Sequence, residues 1–194
     1  SNFAVNASDA KVYTATFTPT PGTKATTSGI SIAAGSYTDA AKVKGLAGAL
    51  SNLAIDMIAP TVTLSSNVAT LKAGQTATIT ATFSEAVTGF DAADLLSANG
   101  TFTNFARSNT DAKVYTATFV PTPNSTATSA GITIASGSYT DAAGNSGTAG
   151  AKPALAIDMI APTVTLSSNV STLKAGQTAT ITATFSEAVT GFAI

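Results

Sequence analysis

Thr76-Ala77-Thr78-Ile79-Thr80-Ala81-Thr82-Phe83 alternates threonine with an apolar side chain at every step. A period of two puts one set on each face of an extended chain, so the stretch predicts a half-buried β-strand with threonine outward. The pattern returns further on: Val114, Thr116 and Thr118 alternate with Tyr115, Ala117 and Phe119, and Ile132 and Ile134 share one face of another strand. Between these runs stand Gly74, Gly89, Gly100, the Pro121-Thr122-Pro123 turn and the run from Gly144 to Gly150, all strand-breaking sites. The expected strands are A over 61–66, B over 76–84, C over 94–98, D over 101–107, E over 113–120, F over 131–139 and G over 153–158. Seven short strands in about 100 residues, without a helix, predict an all-β fold, an antiparallel β-sandwich of immunoglobulin type. The Cys…Trp…Cys signature of antibody domains is missing, so the prediction concerns architecture alone.

This unit is repeated. Ile55-Asp56-Met57-Ile58-Ala59-Pro60-Thr61-Val62-Thr63-Leu64-Ser65-Ser66-Asn67-Val68 returns letter for letter at 157–170, an offset of 102 residues (157 − 55). The same offset carries Lys11-Val12-Tyr13-Thr14-Ala15-Thr16-Phe17 onto 113–119 and 70–90 onto 172–192, without gaps. Solenoid turns have periods of roughly 20–50 residues, so a repeat this long is a whole domain. Residues 1–58 are then the later part of one repeat, 59–160 a complete one and 161–194 the front of the next. Each incomplete copy leaves an unpaired strand edge and an uncovered apolar face. Two explanations are open: the chain is part of a longer protein, or strands A and B of one molecule complete D to G of the next in head-to-tail self-association. The composite unit would lack strand C, which favours the first. Ser1 begins no basic segment followed by an apolar core, which also fits an internal piece.

Composition narrows the function. Only 10% of residues are charged and the net charge is −1, so there is no electrostatic basis for binding nucleic acid or an anionic membrane. No apolar run reaches the ~18 residues of a membrane span, so no membrane insertion is expected in this segment. Absence of Cys excludes a disulfide framework, thiolate zinc sites and thiol catalysis. Absence of His removes the commonest general base and the commonest zinc or copper ligand. A pair of acids alone would need a cleft that a bare sandwich does not offer, so the expectation is no enzyme. Tyr13, Tyr37, Tyr115 and Tyr139 recur at fixed positions, which suits core or corner packing better than stacking on sugars. The outward threonines have a simple explanation, since threonine is a good exposed strand residue.

The acids are placed unevenly. If successive strands run antiparallel, the BC, DE and FG loops gather at the pole where the chain enters. Glu85 and Asp91 lie in or beside BC with Asp94, Asp111 lies in DE, and Asp141 begins FG. Asp56, in the linker before strand A, arrives at that pole too. Crowded carboxylates are costly without a compensating cation. Oxygen ligands without nitrogen or sulfur favour Ca²⁺ over zinc or copper. The joint can offer Asp56, Glu85, Asp141 and, as further candidates, Asp91 or Asn145. The alternative is that these are ordinary loop residues, since aspartate suits turns. No D-x-D-x-D-G loop of an EF-hand occurs.

Three segments carry a family resemblance: Ala59-Pro60-Thr61-Val62, Phe83-Ser84-Glu85-Ala86-Val87-Thr88-Gly89-Phe90 and Tyr139-Thr140-Asp141-Ala142-Ala143-Gly144-Asn145. Together they resemble the bacterial Ig-like repeats of giant surface adhesins, in one full and two partial copies. The resemblance implies a secreted extender: tandem sandwiches that hold a binding tip away from the bacterial cell surface, support adhesion and biofilm formation, and touch neighbouring repeats of the same protein. It also implies structural Ca²⁺ at the joints, through Asp56, Glu85 and Asp141, through Asp158 and Glu187 one repeat on, and less directly through Asp91 and Asn145. Lys42 and Val43 stand where the full repeat has Gly144 and Asn145, and Ala193 stands where it has Asp91, which weakens the carry-over there. Two alternatives remain at this point: a glycan- or surface-binding module, and a self-assembling fibre or surface-layer subunit.

Overall fold

The structure, a computed structural model, describes residues 3–152 and 154–193. Six strands of two residues come first: β1 (Ala4–Val5), β2 (Tyr13–Thr14), β3 (Lys24–Ala25), β4 (Ser31–Ile32), β5 (Gly48–Ala49) and β6 (Ile55–Asp56). The central repeat follows with β7 (Val62–Ser66), β8 (Thr70–Lys72) and β9 (Ala77–Phe83), then a 3-10 turn (Ala92–Asp94) and β10 (Leu95–Leu96). It continues through β11 (Gly100–Arg107), β12 (Val114–Pro121), β13 (Thr126–Ala127), β14 (Thr133–Ile134), β15 (Gly150–Ala151) and β16 (Ala156–Asp158). The next repeat contributes β17 (Val164–Ser168) and β18 (Ile181–Phe185).

The central repeat is a two-sheet sandwich. One sheet has the order β11-β12-β9-β7 and is antiparallel throughout. In the other, β14 and β13 are two stretches of one strand, lying against β15 and β16 in a single register. Hydrogen bonds from Ala130 N to Leu155 O at 2.7 Å and from Lys152 N to Ile132 O at 2.9 Å join the stretches. β10 flanks this hairpin on one side, and β8 flanks it on the other by parallel pairing with β16. Ala77, Ile79, Ala81 and Phe83 point from β9 into the space between the sheets, as the alternation predicts. They meet Leu71, Ile132, Ile134, Leu155 and Ile157 in one core cluster. An aromatic group closes one end: Phe83 meets Tyr139 edge-on with ring centres 4.7 Å apart and Phe90 at 4.9 Å, the preferred arrangement for such rings.

Strands A, B, D and E lie within a residue of expectation, and C is cut to β10 by the 3-10 turn at its start and by the bend at Ser97–Asn99 at its end. Three differences have physical causes. β8 has no counterpart in the seven-strand reading: three residues are too short to show a period, and the strand exists because Leu71 fills the core while its backbone pairs with β16. Strand F runs over β13 and β14, so it starts at Thr126 and ends at Ile134. Tyr139 therefore sits in the connection, and its ring returns to the core beneath Gly147, where a Cβ would lie 2.1 Å from the ring. Gly150, expected as a break, belongs to β15 against Val62. The expected start of strand G, residue 153, lies outside the described residues. β11 also carries a bulge between Thr103 and Ala106, with Asn104 at a φ of 51°, a region asparagine tolerates better than most side chains.

The parallel pairing of β8 with β16 sets the direction of travel. Because the last strand runs the same way as the first, the chain leaves the sandwich at the pole opposite its entry, and the next repeat begins there. The flanking copies lack a covering sheet among the described residues. Leu64 is 6% exposed and its counterpart Leu166 is 71% exposed; Phe119 is 0% exposed and Phe17 is 44% exposed.

That contrast gives an internal control. Leu71→Ala should destabilise the central sandwich by about 2–5 kcal/mol through lost burial and a cavity. Leu173→Ala, the same change one repeat on at an exposed position, should shift stability by no more than about 0.5 kcal/mol. Urea unfolding of the two variants measures both.

Candidate functional site

Three local structures bring acids to the entry of the central repeat. Asp56 ends β6, opposite Lys24 of β3 in the antiparallel register. Its Oδ1 accepts from Ile58 N at 3.2 Å, an aspartate turn that ends the strand and starts the linker. Glu85 follows β9 directly after Ser84. Ser84 Oγ accepts from Thr61 N at 3.0 Å and Ser84 N donates to Thr61 O at 2.9 Å, so the end of strand B is fastened to the linker. Asp141 lies in the long connection between β14 and β15. There Thr140 exchanges backbone hydrogen bonds of 2.8 and 3.0 Å with Thr88, which draws this connection onto the loop that follows Glu85.

Asp141 builds its own turn. Its Oδ1 accepts from Ala143 N at 2.9 Å and from Asn145 N at 2.8 Å, and its Oδ2 accepts from the Asn145 amide at 2.8 Å. Gly144 closes the turn at a φ of 88°, a left-handed conformation that glycine adopts without strain. Asp141 is only 3% exposed. Burial pushes its carboxyl pKa up, but the bonds from Asn145, Ala143 and Gly144 favour the ionised form more strongly and hold it below the ordinary value. Above the turn, the Tyr139 hydroxyl donates to Thr148 O at 2.8 Å and lies 3.3 Å from Pro60 O, fixing the connection against the linker.

Asp56, Glu85 and Asp141 each place a carboxylate oxygen within 4.8 Å of the other two, so the group can hold a metal ion. Asp56 ends a strand paired with β3, ahead of the linker, and the other two lie beyond the linker. Asn145 links the repeats directly, its amide donating to the Asp56 carbonyl at 3.0 Å as well as to Asp141. A cationic side chain also reaches the group: Lys24 Nζ lies 2.7 Å from Asp56 Oδ2 and 3.2 Å from Glu85 Oε2. The hydrogen bonds to Asp56 and then Glu85 raise its pKa above the usual lysine value. Lys24 was no part of the sequence-derived site. Comparison of the copies is the signal that points to it, because position 126 of the full repeat is threonine.

The other expected site residues stand elsewhere. Asp91 caps the 3-10 turn, accepting from Ala93 N at 2.7 Å, while Asp94 accepts from Asp91 N at 2.8 Å. Asp111 accepts from Lys113 N at 2.9 Å in the turn before β12. Asp158 repeats the turn of Asp56, accepting from Ile160 N at 3.3 Å, and is exposed, as is Glu187. The five acids assigned to the entry pole by strand parity thus divide: Glu85 and Asp141 join Asp56, and the rest stabilise turns.

The family model for the bacterial Ig-like domain matches the chain three times in succession, over residues 1–55, 56–157 and 158–194. The comparison with curated proteins and the comparison with solved structures each return no match.

The lowered Asp141 pKa fixes a pH dependence. Its contribution to stability is complete above the unfolded aspartate value of about 3.9 and is lost as pH falls through the lower folded value. Asp141→Asn, which sets one amide against the Asn145 amide, should melt lower than the parent at neutral pH. That difference should shrink as pH drops below about 4 in thermal unfolding. A difference constant from neutral pH to strong acid would contradict the linkage.

Proposed function

The chain belongs to the bacterial Ig-like domain family, and from that premise we propose that it is an extender segment of a secreted bacterial surface protein. Domains of this family are typical of surface or extracellular proteins and are typically non-enzymatic. Among the described residues no helix is long and apolar enough to cross a membrane. In this reading the sandwiches, with units at 1–58, 59–160 and 161–194, act as spacers that carry an adhesive region away from the cell in adhesion and biofilm formation. Strands of seven or eight residues make each unit roughly 25 Å long at about 3.3 Å per residue. Entry and exit at opposite poles let that length add from unit to unit.

The observation that carries the proposal is the joint, where acids from two successive repeats converge on one point. A flexible linker would need no such convergence. Calcium is the ion proposed for joints whose carboxylates have no cationic side chain of their own: the donors are carboxylates, and Ca²⁺ takes six to eight oxygen ligands in a tolerant geometry. Bound there, it would offset the carboxylate repulsion and restrict bending. Asp158 and Glu187 are the corresponding residues one repeat further on.

Asp56→Ala combined with Glu85→Ala should leave the melting of the central sandwich within about 0.5 kcal/mol of the parent, since both side chains lie outside the core. It should also shorten the mean end-to-end length in small-angle scattering, because the joint bends more freely. An unchanged scattering envelope would count against the joint as a stiffening element. Titration with oligosaccharides should show no saturable binding; saturation would favour a glycan-binding module instead.

A further inference from the structure

We propose that Lys24 is the tethered cation of the first joint and closes it without a divalent ion. The inference rests on the extender reading above. Lys24 and Asp56 are cross-strand neighbours in one repeat, and Glu85 belongs to the next. An ammonium 2.7 Å from Asp56 Oδ2 and 3.2 Å from Glu85 Oε2 therefore links two repeats through their carboxylates, the role otherwise given to a bound ion. It also occupies oxygens that an ion would need. With three carboxylates and one ammonium, the local charge falls from −3 to −2, which weakens the pull on any ion from solution.

Among the described residues, the second joint has no lysine at the matching position. Thr126 pairs with Asp158 in the register in which Lys24 pairs with Asp56. Asp158 and Glu187 repeat Asp56 and Glu85, but the threonine hydroxyl brings no charge. The change from Lys24 to Thr126, at matching strand positions, thus divides the joints into two kinds. The first carries its own cation, and the second has a neutral hydroxyl at the matching position. A rod built of both would keep some joints closed when external calcium falls.

The chain has no cysteine, so Ser31→Cys and Thr103→Cys give two unique spin-label sites, one on each side of the first joint. Distance distributions between the labels are measured in EDTA and in excess CaCl₂, with Lys24 and with Lys24→Thr. The expected result is a narrow distribution, unchanged by calcium, when Lys24 is present. Lys24→Thr should broaden it in EDTA, and calcium should narrow it again. Glu85→Gln should broaden the parent distribution in EDTA and add nothing to Lys24→Thr. Broadening that calcium does not reverse would support Lys24 and overturn the calcium reading of the acids. A Lys24→Thr distribution as narrow as the parent in EDTA, or a parent that narrows on adding calcium, would overturn the role of Lys24.

Discussion

An apolar sheet face keeps its structure only when a second apolar face lies on it. Three copies of one repeat display this constraint within a single chain. Lys113 to Phe119 runs from the preceding turn into β12, which reaches eight residues because β9 pairs on one side and β11 on the other. The identical sequence Lys11 to Phe17 holds only the two residues of β2, paired with β1 alone. Backbone hydrogen bonding is equally available to both copies. What differs is the burial of Tyr115, Ala117 and Phe119 against the opposite sheet, where fully burying one large apolar side chain contributes about 1.5–3 kcal/mol. Strand length is thus a consequence of packing, and the joint chemistry can exist only because the sandwich holds its loops in place.

The same reasoning explains how much was legible in the sequence. β9 and β12 each have one face in the core and one in water, and alternation records that difference directly. β8 has one buried side chain, Leu71, and its pairing partner β16 lies far along the chain. No local pattern can report such a contact. Tyr139 was legible as a packing residue but not as one that leaves the strand, because the turn after Ile134 depends on its ring folding back beneath Gly147. At the joint, loop parity was sufficient to unite Asp56, Glu85 and Asp141. It could not separate them from Asp91, whose carboxylate is taken by a local cap. Lys24 was not legible, because it reaches the acids only through cross-strand pairing with Asp56 and a contact with Glu85 far along the chain.

The joint divides its work between a rigid part and an adjustable part. Asp141 is fixed by three donors from its own turn, so its orientation does not depend on any ion arriving. Asn145 transmits that fixed position to the preceding repeat through the Asp56 carbonyl. Asp56 and Glu85 are more exposed, and both carboxylates meet the Lys24 ammonium. Exposed ion pairs contribute little to folding. A joint needs only to favour one orientation between two units that are already folded, and a weak directional contact is sufficient for that.

The parallel ladder between β8 and β16 has a mechanical meaning for a chain under tension. Force applied through the linker at Pro60 and drawn off beyond Met159 acts along the strand axes and in opposite senses on these two strands. The rungs Ala156 with Thr70, Ile157 with Leu71 and Asp158 with Lys72 then bear the load together, in shear. A hairpin pulled from its open end would instead release its bonds one after another. Rupture in shear requires Leu71 and Ile157 to slide out of the core in a single event, so a strand of three residues adds to the resistance that the β7–β9 pairing gives next to the linker.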